Sequence, residues 1–180
     1  MVGKLIERVR KNDRRAMNQL YQLYVEELSS VCYRYVPNRN DAKDVLQNSF
    51  VKIFTSIPTI SYRDEPSFKA WMKRLVVNET LYFPRERKKL LFVELDESNL
   101  QLSDEEEPQP EYLSPNELHR LISELPDGYR TVINLFVFEG YTHHQIAEML
   151  DIKETTSASQ LYQAKLTLAR KIKELTNEKQ

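Results

Sequence analysis

The stretch KETTSASQLYQ, residues 153–163, carries residue types suited to reading a charged polymer. Thr155, Thr156, Ser157 and Ser159 offer hydroxyls, and Gln160 and Gln163 offer amides. Such groups bond base edges in a groove or hold phosphate oxygens. A second set lies on DAKDVLQNSFVKIF, residues 41–54. There Asp41, Asp44, Gln47, Asn48 and Lys52 fall opposite an apolar stripe of Ala42, Val45, Leu46, Phe50, Ile53 and Phe54. The apolar stripe must be buried, which leaves the polar face either solvated or available to a partner.

Covalent chemistry is not indicated. No Ser-His-Asp arrangement or paired carboxylate stands out, so the chain reads as a non-enzyme. His143 and His144 are adjacent and diverge on a helix, His119 lies in another element, and Cys32 is alone. No metal site or cofactor is therefore expected. Three glycines argue against a Gly-rich phosphate loop and against a turn-rich all-β fold. The single cysteine excludes an internal disulfide and fits a reducing compartment. MVGKLIERVRKND holds no apolar core of a signal peptide, and no run nears the ~20 residues of a membrane helix. The expectation is a soluble intracellular protein without membrane insertion.

Charge is segregated beneath a net of −1. Residues 1–92 hold 18 Lys/Arg against 10 Asp/Glu, residues 93–118 hold none against nine, and residues 119–180 hold eight of each. A basic head is thus joined by an acidic connector to a neutral tail. A basic face is the footprint of a nucleic-acid binder, and equally of an ordinary solvated surface.

The elements that must position these groups read as helices throughout. Apolar spacing predicts helices over about 4–11 and 13–36, the latter on Leu20, Leu23, Tyr24, Leu28, Val31, Cys32 and Tyr35. Pro37 ends it, Asn40 or Asp41 caps a helix over 41–57, and another starts near Ser67 and contains Trp71, Leu75 and Val76. Trp71 reads as core rather than a stacking platform. The fold class is all-α, in two small helical domains: 1–91, an acidic flexible linker 92–113, and 114–180. Ser114, Pro115 and Glu117 make a helix start, ELHRLISEL is one helix ended by PDG, and YRTVINLFVFEG is the next, closed by Gly140.

The tail reads as a helix-turn-helix. Thr142 caps a helix over His143–Leu150, Asp151 takes the left-handed turn, Ile152 plugs the corner, and Lys153 or Glu154 opens the second helix. Its inward stripe is Leu161, Ala164 or Lys165, Leu168, Ile172 and Leu175. A helical hairpin used only for packing is the other reading of the same pattern.

Three segments resemble a known family. LYQLYVEELSSVCYRYVPNRNDAKDVLQNSFVKIF and SFKAWMKRLVVNETLYFPRERKK are similar to region two of bacterial RNA polymerase sigma factors of the extracytoplasmic-function (ECF) group. LPDGYRTVINLFVFEGYTHHQIAEMLDIKETTSASQLYQAKLTLARKI is similar to region four. The resemblance implies a cytoplasmic bacterial transcription initiation factor that binds RNA polymerase core, directs it to promoters and helps melt the minus-ten element. It implies that Asp41, Asp44, Gln47, Asn48 and Lys52 meet the β′ clamp helices, although Asp41 and Asp44 equally suit a helix start. It implies that region four meets the β flap and minus-thirty-five DNA, and that an anti-sigma protein is a partner. The loop Ser61–Pro66 and the following helix take the place of the melting site. Arg63, Ser67, Phe68, Lys73, Arg74 and Asn78 become candidate DNA contacts, with Arg85, Arg87, Lys88 and Lys89 supplying phosphate-directed charge.

Three departures from that family stand out. Pro84 should kink or stop its helix near Tyr82. Ala158, Gln160 and Gln163 replace commonly basic positions, and Ser157 replaces an apolar plug. The acidic SDEEEP, residues 103–108, is either a spacer or a segment that competes with DNA for the basic head. A helix-turn-helix regulator working without polymerase, and a degenerate interaction module, are the rival readings.

Overall fold

The computed structural model describes residues 1–87 and 113–178, and of 84–87 and 178 only the backbone course. The chain forms two compact units, Met1–Lys88 and Lys89–Gln180. Every regular element among the described residues is a helix, as the apolar spacing predicts, and none is long and apolar enough to cross a membrane.

The first unit holds α1 (Val2–Arg10), α2 (Arg14–Tyr35), α3 (Arg39–Ser56) and α4 (Glu65–Arg87). Each pair among α2, α3 and α4 packs together, and α1 lies on α2. Their shared interior takes Leu20, Tyr24 and Leu28 from α2, Val45, Phe50 and Ile53 from α3, and Phe68, Met72 and Val76 from α4. Each such side chain contributes about 1.5–3 kcal/mol by leaving water. Leu23, expected inward, is exposed instead, because the buried stripe of α2 runs through Leu20, Tyr24 and Leu28.

Local signals set most of the helix ends. Asp13 caps α2, its carboxylate accepting from the amides of Arg15 and Ala16. The cap of α3 is Asn38, not Asn40 or Asp41: its side-chain oxygen accepts from their amides at 2.9 and 3.2 Å. Helix α4 begins at Glu65, two residues earlier than expected, because Asp64 already accepts from the Ser67 amide at 2.7 Å. The hydroxyl and amide of Ser67, then the Arg63 guanidinium, hold the Asp64 carboxyl down to about 2. Nor does α4 stop near Tyr82; it continues through Pro84 to Arg87. An internal proline removes one donor and costs about 3 kcal/mol. Here the preceding turns are anchored by Phe68, Met72, Val76, Val77 and Leu81, and little helix remains beyond it.

The second unit holds α5 (Pro115–Ser123), α6 (Asp127–Ile133), a π-helical turn (Asn134–Phe138), α7 (His143–Leu150) and α8 (Glu154–Glu178). Ser114 and Glu117 form a reciprocal capping box on α5. Helix α6 starts at Asp127, inside the expected PDG break. Arg130, buried, bonds the carbonyl of Leu125 at 2.7 Å and the Asp127 carboxylate, tying the break to the helix. The π turn was not anticipated. Buried Asn134 donates its amide to the carbonyl of Arg130 at 2.8 Å, and the amide of Glu139 reaches back five residues to Asn134. A side chain competing with the backbone ladder favours such a widened turn. Gly140 closes it with φ +73°.

Candidate polymerase and nucleic-acid interfaces

On α3 the expected polar face is present. Asp44, Gln47, Asn48 and Lys52 are exposed and Asp41 is half-buried. Lys52 is already engaged, its Nζ 2.6 Å from Oε1 of Glu79 on α4. The same surface presents Val51, 56% exposed, which the periodicity did not single out. It falls outside the buried stripe of Val45, Leu46, Phe50 and Ile53, and that mismatch was its signal.

The loop before α4 is built from below. Arg10 of α1 donates to the carbonyl of Ile60 at 2.6 Å and of Ile57 at 3.4 Å, so α1 holds the loop's entry. Tyr62 lies against Gly3, where an added Cβ would sit 3.1 Å from its ring. Tyr62, Tyr24 and Trp71 surround Phe68. Phe68 is therefore a core side chain, 3% exposed, and not a DNA contact as expected. The reason is its place in the helix, four residues before Met72 and eight before Val76, on the buried face. Trp71 is half-buried and not core. Its ring stacks on Phe68 with centroids 5.5 Å apart, which leaves an aromatic surface partly open.

Among the other candidates here, Arg74 and Asn78 are exposed one turn apart. Arg63 folds back, donating to Asp64 and to the Ser67 hydroxyl at 2.8 Å each. Lys73 is paired with Glu27 of α2, which also holds Lys69. The side chains of Arg85 and Arg87 lie outside the described residues, as do Lys88, Lys89 and SDEEEP.

The tail forms the expected helix-turn-helix geometry. Thr142 and Gln145 cap α7 reciprocally, Asp151 turns at φ 56° and ψ 51°, and Ile152 donates back to the carbonyl of Ala147 at 3.1 Å. Leu161, Ala164, Leu168 and Ile172 are buried, so Ala164 rather than Lys165 completes the stripe. Three expected reading residues are wrongly placed for reading. Thr156, Ser157 and Gln160 are buried at 8, 0 and 1% exposure. Counting back by four from Leu161 and Ala164 lands on Ser157 and Gln160, so the helix's inner face extends to its start. Ser157 does plug the helix pair, by a bond rather than by apolar contact. Its Oγ lies 2.9 Å from Nδ1 of His143, whose ring stacks on Phe136. Exposed at the start of α8 are Glu154, Thr155 and Ala158, with Lys153 just before the helix and Ser159 and Gln163 half-buried.

On the same unit the π turn leaves Val137 and Phe138 exposed, with His119 stacked on Phe138. Among the described residues no three His, Cys, Asp or Glu side chains converge as metal ligands would. Burial pushes the Cys32 thiol up to about 12, which keeps it a neutral core group.

The family described as "Sigma-70 region 2" matches residues 20–90, and "Sigma-70, region 4" matches residues 116–168. An ECF RNA polymerase sigma-E factor of Haemophilus influenzae is 33% identical over 183 residues, covering 95% of each chain. The ECF RNA polymerase sigma factor SigW of Bacillus subtilis is 25% identical, covering 97% of this chain and 98% of its own. A solved structure of CnrH in complex with the cytosolic domain of CnrY aligns over 94% of this chain and 96% of that one, at 19% identity and a TM-score of 0.47.

Proposed function

The chain belongs to the sigma-70 family as an ECF sigma factor that directs RNA polymerase to promoters, and from that premise we propose how its surfaces divide the work. Residues 1–91 form the unit that binds polymerase core and the minus-ten element. Residues 92–113 are a linker, and residues 114–180 bind the minus-thirty-five element. The chain has no catalytic activity of its own and works in the bacterial cytoplasm.

Core binding uses the outer face of α3. Asp44, Gln47 and Asn48 are exposed there beside Val51, and this arrangement is the observation that carries the reading. Mid-helix amides gain nothing from a helix end, so the β′ clamp helices account for them better than capping does. The apolar patch of Val137 and Phe138 on the second unit suits the β flap.

Strand opening uses the loop 61–66 and the exposed side of α4. Extracting a base costs a few kcal/mol of stacking and pairing. The partly open Trp71 ring offers a stacking surface in return, and Arg74 and Asn78 supply charge and hydrogen bonds to the strand. At the upstream duplex, α8 offers Thr155 and Ser159 from its first turns, with Lys153 just before it. With Glu154 beside Lys153, phosphate attraction there is weak, so the first unit dominates promoter affinity. An anti-sigma protein completes the set of partners, by occupying the polymerase-facing surfaces.

Run-off transcription with purified core on a promoter library tests core binding, opening and sequence reading together. A specific transcript that depends on this chain is the expected result. Failure to bind core at low salt would overturn the division of labour.

A further inference from the structure

Between α2 and α4 one carboxylate holds two ammonium groups. Lys69 Nζ lies 2.8 Å from Oε2 of Glu27, and Lys73 Nζ lies 2.7 Å from Oε1. The two lysines are four residues apart on one helix, where like charges repel unless an anion sits between them. All three side chains keep about a third of their surface in water, at 35–39%. Successive residues on a helix point about 100° apart, so half-buried Lys73 lies at the edge of the exposed side of α4 that carries Arg74 rather than on it.

We propose that Glu27 is an internal stand-in for a DNA phosphate, and that Lys69 and Lys73 form a two-ammonium clamp which a strand phosphate takes over from it. The inference rests on the sigma-factor reading, which brings a strand to α4. A phosphodiester presents two acceptor oxygens, as the carboxylate does, one for each ammonium. The exchange is energetically easy: ion pairs this exposed contribute little to stability, so a phosphate competes on even terms. Lys69 and Lys73 together hold Glu27 below the usual carboxylate range, so the stand-in stays charged at neutral pH. The packing of α2 on α4 does not depend on it, since Tyr24 and Leu28 of α2 and Phe68 and Met72 of α4 are buried in the core, with the Tyr24 and Phe68 rings edge to face at 6.1 Å. The consequence is a sigma factor whose strand-binding charge is partly cancelled until DNA arrives, which suppresses promiscuous binding.

The test uses the full chain and a labelled single-stranded oligonucleotide of arbitrary sequence, with anisotropy followed against salt. Glu27→Gln should bind more tightly at low salt, up to roughly fivefold, the scale of an exposed ion pair. Its log–log salt slope should steepen by about 0.7, one further phosphate on a single strand. Adding Lys69→Gln and Lys73→Gln to that variant should abolish the gain. Unchanged affinity and slope in Glu27→Gln, or a gain that survives loss of both lysines, overturns the proposal. If Glu27→Gln fails to fold, Lys69→Gln with Lys73→Gln in the parent chain must flatten the slope; an unchanged slope there also overturns it. The assay contains no polymerase. A parent chain that gives no run-off transcript with core refutes the sigma-factor division of labour, while the oligonucleotide result still decides the clamp.

Discussion

Ser157 Oγ and His143 Nδ1 stand 2.9 Å apart and bond α8 to α7 inside the helix-turn-helix. Ser157 is fully buried, so its removal leaves a half-buried imidazole without this partner. Ser157→Ala should lower stability by about 1 kcal/mol, the net worth of a typical internal hydrogen bond. Urea denaturation checks this, and an unmoved midpoint would show the bond to be idle.

At the start of α3, Asn38 and Asp41 separate capping from recognition. Asn38→Ala should cost about 1 kcal/mol of stability, as loss of a side-chain cap does. Asp41→Ala should cost less, because it lies inside the first turn and the cap bond is not its own. Thermal melts of the two variants decide, and a larger loss for Asp41 would reverse the assignment.

Gln47→Ala combined with Asn48→Ala should weaken binding to polymerase core while leaving the melting temperature nearly unchanged. Both side chains are exposed, and such surface changes usually stay within about 0.5 kcal/mol of stability. A competition assay against core with a labelled parent chain measures the first effect. A lowered melting temperature would instead make these side chains structural.

Phe68 and Arg74 should fail in different ways. Phe68→Ala removes a core ring at the centre of an aromatic cluster and should cost about 3–5 kcal/mol. Arg74→Gln should leave folding intact and reduce the salt slope of strand binding by about 0.7. Circular dichroism melts paired with salt titrations distinguish the two.

His144 predicts a pH effect. Its Nδ1 lies 2.7 Å from Glu154 across the turn, and Glu154 first, then Glu148, raise its pKa above 6.5. The folded state therefore favours the protonated ring. The contribution is fully present below pH 6.5 and fades as pH rises through the raised folded value. Comparing the melting temperature of His144→Gln with that of the parent across this range should show the difference shrinking at higher pH. A difference that is constant or grows would contradict it.

Much of this architecture was legible residue by residue. Thr142, Asp151 and Gly140 gave correct boundaries because caps and left-handed turns are decided by one or two neighbours. Leu161, Leu168 and Ile172 were placed correctly because their spacing alone defines a face. Thr156, Ser157, Gln160 and Phe68 were misplaced because residue type suggested contact where position dictated burial. Leu23 erred the other way, as an apolar side chain just beyond the edge of a buried stripe.

The sequence by itself determined an all-helical chain, the positions of most helix ends and the helix-turn-helix, since these follow from bonds between residues within about five places of each other. Only the tertiary structure decided how far each helix is rotated toward its neighbours. That rotation buries Ser157 and Gln160 and brings Glu27 between Lys69 and Lys73. Spacing tells which side chains share a face, but a face is inner or outer only relative to what packs on it, and those packing groups lie far away along the chain.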